Sequence, residues 1–218
     1  MLKHMNNVNI LQHEVHLTVE NTVTDNKFIE ICKNANIKPI IFDLHLPIAR
    51  YHKRYRRDMM TSTLIHGTFE NVISASTQLR SYLEGAGLNV IREKVEVAPT
   101  PQSIEVYSYV NGYYETHIKV DMSKYSAQCL RRILDENKYY KSQIVDNAKR
   151  KKNTLTITFR RYRILDIESL DIFDKMITNV RQKLNRNDIL ESKKKEIEYC
   201  IYDTNLAHDN IWVDRKIK

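Results

Sequence analysis

Glu14-Val-His-Leu-Thr-Val-Glu20 and, 101 residues further on, Glu115-Thr-His-Ile-Lys-Val-Asp121 decide the fold. Both stretches alternate with period two, as strands with one buried face do. In the first, Val15, Leu17 and Val19 point one way, and Glu14, His16, Thr18 and Glu20 the other. In the second, Ile118 and Val120 take the core side, and Glu115, His117, Lys119 and Asp121 the opposite side. A strand that recurs at a long interval signals an internal duplication.

The flanking sequence repeats in the same order. A helical stripe over 26–35 (Phe28, Ile31, Cys32, Ala35) answers one over 125–136 (Cys129, Leu130, Ile133, Leu134). Strands are predicted at 39–44 and 139–145, then at 60–66 and 154–162. Thr68 reads as the N-cap of a helix over 69–83, with Gly85-Ala-Gly87 as its stop. Its counterpart is a helix over 167–184. Final strands follow at 90–98 and 193–202. Each half therefore reads β-α-β-β-α-β, and the chain is expected to be an α+β protein of two tandem duplicated ferredoxin-like halves related by a pseudo-twofold axis. The expected division is a first half over 8–99, a linker over 100–112, a second half over 113–202, and a C-terminal tail over 203–218 that packs back.

The chain has 218 residues, and its 35 Lys+Arg against 27 Asp+Glu give a formal charge of +8. The excess is local. Arg50-Tyr-His-Lys-Arg-Tyr-Arg-Arg57 and Lys149-Arg-Lys-Lys152 together hold nine cations and no acid, so the remainder is close to neutral. Tyrosines among cations suit a nucleic-acid or nucleotide phosphate partner. The four glycines form neither of the glycine-rich phosphate loops. No apolar run is long enough to cross a membrane, and no membrane partner is expected. The N-terminal stretch does not read as a secretory signal, and Cys32, Cys129 and Cys200 are sparse and unpaired by spacing. An intracellular, cytoplasmic location is therefore expected, with the thiols buried. The sequence leaves the oligomeric state open.

Three functions fit the polar faces. In the first, two imidazoles act as acid and base on a phosphoester, with Thr18 and Lys119 holding phosphate oxygens. His16-Leu-Thr18-Val and His117-Ile-Lys119-Val resemble the paired H-x-[ST] motifs of the 2H phosphoesterase superfamily. That resemblance implies hydrolysis of cyclic or 2′,5′-linked phosphates in RNA-derived substrates, without a cofactor. The catalytic set is then His16, Thr18, His117 and Lys119, and the phosphate-binding set Lys94, Arg160, Arg50, Arg54, Arg56 and Arg57. In the second, His16, His117, Glu96 and Glu198 hold a divalent metal; His on first strands and Glu on last strands is similar to the paired-module glyoxalase-like metalloenzymes. In the third, the chain is a non-catalytic RNA- or DNA-binding scaffold using its basic hairpins. The closing Tyr202-Asp-Thr-Asn-Leu-Ala-His-Asp209 stretch, together with the first-strand histidines, also resembles a group of functionally uncharacterised bacterial proteins.

Overall fold

A computed structural model describes residues 10–45, 55–121, 141–146, 154–184, 197–206 and 208. The first half runs β1 (Leu11–Val19), α1 (Asp25–Asn34), β2 (Lys38–His45), β3 (Tyr55–Gly67), α2 (Phe69–Gly85) and β4 (Val90–Val97). A short helix, α3 (Pro101–Tyr107), leads to the second half. That half comprises β5 (Tyr113–Asp121), β6 (Lys141–Asp146), β7 (Thr154–Tyr162), α4 (Ile167–Lys183) and β8 (Ile197–Asp203). The helix predicted over 125–136 lies outside the described residues.

Both halves follow the same strand order, β2-β3-β1-β4 and β6-β7-β5-β8, with every pair antiparallel. This is the ferredoxin-like arrangement, present twice. The sheets join along β4–β8, and Asp43 of β2 meets Asp146 of β6, so the eight strands close into a barrel. Closure removes the exposed edges that two separate four-stranded sheets would carry. It also makes one interior of the two polar faces.

The helices form because their caps and stripes agree. Thr24, Thr68 and Asp166 accept from the backbone N–H groups of Lys27, Asn71 and Ser169 at 3.4, 3.4 and 2.6 Å. Gly87, with φ of +83°, ends the α2 turn, and Leu88 N–H returns to the Leu83 carbonyl at 3.0 Å. Phe28, Ile31 and Cys32 of α1, Val72 and Leu83 of α2, and Phe173, Ile177 and Val180 of α4 are buried with Val15, Leu17 and Val19 of β1 in one apolar layer outside the barrel. Burying each large apolar side chain contributes about 1.5–3 kcal/mol. The thiols of Cys32 and Cys200 are free and buried, while Cys129 lies outside the described residues.

The expected linker over 100–112 contains α3. Thr100 and Ser103 form a reciprocal capping box with Pro101 at the first helical position, and Tyr107 is 3% exposed. Its hydroxyl meets His13 Nε2 at 2.7 Å, which ties α3 to β1. The strand predicted at 60–66 is longer than its hydrophobic pattern. It starts at Tyr55, so Arg56 and Arg57 belong to β3 and pair with Leu44 and Asp43.

Candidate functional site

The alternation of β1 places Glu14, His16 and Thr18 on the side opposite the apolar layer, which is the barrel interior. Cross-strand register sets them beside the matching side of β4: Glu14 opposes Glu96, His16 opposes Lys94, and Thr18 opposes Arg92. In the second half Glu115 opposes Glu198 on β8 and Arg160 on β7, and His117 opposes Thr158. Thus His16, Lys94, Glu96, Glu115, His117, Arg160 and Glu198 face one enclosed space. Glu96 and Glu115 are each 1% exposed, Lys94 6% and Arg160 8%.

Charges this deep need partners, and they form a continuous run. His16 Nε2 lies 3.0 Å from Glu96 Oε2, and Lys94 Nζ 2.8 Å from Glu96 Oε1. Lys94 Nζ also lies 3.0 Å from Glu115 Oε1, which is 3.3 Å from His117 Nε2. Arg160 Nε donates to the other Glu115 oxygen. The two Glu96 contacts have ion-pair distances but lack hydrogen-bond alignment, so Glu96 is held by charge more than by direction.

His16 has a second anchor. The β1–β3 ladder is interrupted at its strand position, where Leu17 N–H donates to Thr61 Oγ1 at 3.2 Å and His16 Nδ1 reaches the Thr61 carbonyl at 3.0 Å. A carbonyl only accepts, so Nδ1 carries a hydrogen and Nε2 is the atom offered to the interior. Glu14 flanks that atom at 3.6 Å and accepts from Ser62 Oγ at 2.6 Å.

The electrostatics separate the groups. Burial would raise the Glu96 carboxyl, but Lys94 and His16 more than offset it and hold it at about 2. Burial acts likewise on Glu115, and Arg160 and Lys94 pull it well below the usual carboxylate range. Lys94 is pushed down by burial and raised, on balance, by Glu115 and Glu96. His117 also ends above its ordinary value: burial disfavours its charge, and the Glu115 carboxylate restores it. Glu198 goes the other way. Burial and then the nearby Glu96 charge lift it to about 8, so it is a neutral acid at pH 7. Around His117 the cations Lys94 and Arg160, with an imidazole whose charged form is favoured, therefore stand against the anions Glu115 and Glu96.

The two barrel ends differ. At the end where β1 begins, Gln12, Leu64 and His66 are exposed, and the His117 side chain keeps 42% of its surface although other groups crowd round it. At the other end the interior is packed. Asp203 accepts from Arg92 Nε and Nη2 and, at 2.8 Å, from the Tyr113 hydroxyl. The Arg160 guanidinium lies over the Tyr113 ring at 5.1 Å. Thr204 exchanges backbone and side-chain hydrogen bonds with Glu93, Asn205 Nδ2 donates to the Ile91 carbonyl, and His208 Nε2 meets Asp58 Oδ2 at 3.0 Å. Thr204 and Asn205 thus lie against β4 and His208 against β3, while most of the tail expected over 203–218 lies outside the described residues.

The remaining candidates are placed as follows. Thr18 is 4% exposed, deep in the barrel beyond His16. Lys119 opposes Thr156 in β5–β7 pairing, and its side chain is outside the described residues. Arg57 Nη1 pairs with Asp25 at 2.8 Å, so part of the first basic stretch serves the β3–α1 contact. Arg50 and Arg54, like Lys149-Arg-Lys-Lys152, lie outside the described residues. For the metal set, Lys94 stands against Glu96, and among the described residues no group of three or more His, Cys, Asp or Glu is arranged to hold a metal ion. Sequence reading overlooked Tyr113, Thr61 and Asp58. Tyr113 was within reach, being two residues before Glu115 in the same alternation. Thr61 acts through an interrupted ladder, which composition does not reveal.

No family model matches the sequence, and no curated protein matches it. Solved structures give distant likenesses. The chain is similar to a mutant chlorite dismutase from Candidatus Nitrospira defluvii at 12% identity over 88% of this chain and 91% of that one, with a TM-score of 0.30. A putative glycine cleavage system transcriptional repressor shares 15% identity over 86% and 96%, with a TM-score of 0.24. The regulatory subunit of aspartate kinase from Thermus thermophilus shares 10% over 80% and 93%, with a TM-score of 0.31. Likenesses this distant transfer neither a site nor an activity.

Proposed function

We propose that the chain is a phosphoesterase-like enzyme acting on the terminal or cyclic phosphate of a nucleotide or RNA, with His16 and His117 as its base and acid. One observation carries this reading: imidazoles from the equivalent strands β1 and β5 face the same interior and are linked by a run of charged contacts through Glu96, Lys94 and Glu115. A phosphate ester requires two proton transfers and stabilisation of negative charge. His117, whose charged form the Glu115 carboxylate favours, is the acid. His16, with Nδ1 committed to the Thr61 carbonyl, has only Nε2, beside Glu96, to act as the base, and it does so from the form in which that atom carries no proton.

On a cyclic phosphate, water attacks phosphorus as its proton passes to His16 Nε2. The ring P–O bond breaks and the leaving ribose oxygen takes the His117 proton. Glu96 and Glu14 lie beside the imidazolium then formed on His16. The cationic balance around His117, preserved by a neutral Glu198, favours an anionic substrate there. Phosphoester hydrolysis by this route needs no cofactor.

The test is turnover of 2′,3′-cyclic mononucleotides and of RNA ending in a cyclic phosphate. His16→Ala and His117→Ala should each lower kcat by about 10²–10⁴-fold while leaving the circular dichroism spectrum unchanged. A wild-type protein inert on all these substrates, or two variants of full activity, overturns the proposal.

A further inference from the structure

The duplication supplies each half with a histidine and a carboxylate two residues before it, but the nearer carboxylate differs, since Glu14 lies 3.6 Å from His16 Nε2 and Glu96 3.0 Å. His16 is met by Glu96 from the neighbouring strand β4, and His117 by Glu115 from its own strand. Two such pairs would be independent if nothing joined them. Lys94 joins them: its ammonium lies 2.8 Å from the Glu96 of the first half and 3.0 Å from the Glu115 of the second. It is buried, with Arg92 near it on β4 and Cys200 on β8, while Arg160 of β7 takes the second Glu115 oxygen. Nor does the repeat supply a second lysine. Glu96 and Glu198 correspond as partners of Glu14 and Glu115, and two residues before Glu198 the chain has Glu196.

A buried ammonium between two carboxylates does more than neutralise them. Its charge draws one oxygen of each carboxylate toward Nζ and so keeps Glu96 within reach of His16 and Glu115 within reach of His117. Withdrawing the cation leaves Glu115 with Arg160 and Glu96 with His16 but removes the charge shared between the two carboxylates, which in low dielectric favours their movement apart or proton uptake. We infer that Lys94 is a positioning residue through which the two histidine-bearing halves act on each other: it holds Glu96 against His16 and Glu115 against His117, and a change at one ring reaches the other through it. Its consequence for turnover rests on the acid–base reading given above; the link between the halves does not.

The test therefore reads the rings without substrate. The ring-nitrogen resonances of His117 are recorded at fixed pH in the wild type, in His16→Gln, in Lys94→Met, and in the double variant. His16→Gln should displace the His117 resonances when Lys94 is present and leave them in place when it is replaced, which is the signature of a coupled pair in a double-mutant cycle. Lys94→Arg, which keeps a cation between the carboxylates, should restore the displacement. If Lys94→Met does not fold, Lys94→Met with Glu96→Gln, which neutralises the buried pair, provides the background instead. No displacement in His16→Gln alone, or an equal displacement without Lys94, overturns the inference. Either result stands whether or not cyclic phosphates are turned over, so failure of this link and failure of the proposed activity are separate outcomes.

Discussion

Arg92 and Asp203, 111 residues apart, face each other through two parallel contacts, Nε to Oδ1 at 2.9 Å and Nη2 to Oδ2 at 2.5 Å. Their side chains are 7% and 3% exposed, and they tie β4 to the end of β8 where the halves of the barrel meet. The paired geometry matches guanidinium to carboxylate in a way a lysine would not reproduce. The Tyr113 hydroxyl takes a further position on Asp203.

Asp203→Asn should therefore cost about 3–5 kcal/mol, because it takes the carboxylate out of a buried ion pair made through two directed contacts. Urea denaturation at pH 7 measures this. The Asp203 carboxyl lies below its ordinary value through Arg92, against the burial that would raise it. Its contribution is complete above the unfolded value of 3.8 and is lost as pH falls through the folded value. Between wild type and Asp203→Asn, the stability gap should accordingly narrow on acidification below that point. A gap that widens would contradict the assignment.

The Tyr199 hydroxyl organises the turn into β5. It lies 2.8 Å from the Val110 carbonyl and 2.9 Å from that of Arg163, and it accepts from Gly112 N–H at 2.9 Å. Tyr199→Phe strands buried backbone groups and should cost about 1–3 kcal/mol. Gly112→Ala should be worse. A Cβ there would overlap the Cys200 carbonyl oxygen, and the Tyr199 ring carbons stand 2.8 and 2.9 Å away. Backbone cannot swing aside as a flexible side chain can. The expected loss is at or above the 1–3 kcal/mol typical of overpacking, read from thermal melts of both variants.

His208 is 3% exposed and reaches back 150 residues to Asp58 on β3. His208→Ala should free the segment after β8 without opening the barrel. Amide exchange at Thr204 and Asn205 should quicken, while that of Val15 and Leu17 stays slow. Equal acceleration in both places would mean that the contact supports the whole fold.

The duplicated fold was legible because its two controlling signals are local. Period-two alternation in β1 and β5, and caps such as Thr68 and Gly87, specify elements without reference to distant residues. Barrel closure is different. It depends on which edges meet, β4 with β8 and β2 with β6, and no residue of those strands declares its neighbour in sequence. For that reason Glu14, His16, Glu115 and His117 could be assigned to a polar face, but not to an interior shared by both halves. The same limit explains Lys94. It reads as one cation in an alternating strand, with Glu96 next on the same face, and only the folded barrel brings Glu115 of β5 to its ammonium as well. α3 was missed because Pro99 and Pro101 look like linker punctuation, whereas Pro101 at the first helical position favours a start.

Glu198 gives the most direct pH test of the interior. Its carboxyl stands at about 8 against an ordinary 4.5, so between those values the folded chain binds one proton that the unfolded chain does not. Stability from this group is complete below pH 4.5 and declines as pH rises to 8, by up to about 1.4 kcal/mol per pH unit. His117, also raised, adds a loss of the same sign as pH passes above 6.5 through its folded value. Glu198→Gln removes the first contribution and keeps the second. The variant should therefore match the wild type near pH 5 and become the more stable of the two at pH 8.5, by urea denaturation. Ionised Glu198 also places a negative charge beside His117, so KM for an anionic substrate should climb more steeply above pH 8 in the wild type than in Glu198→Gln. A wild type whose stability rises from pH 5 to 8.5 relative to Glu198→Gln would show that the carboxyl is ionised at neutral pH, and the cationic balance proposed around His117 would fall with it.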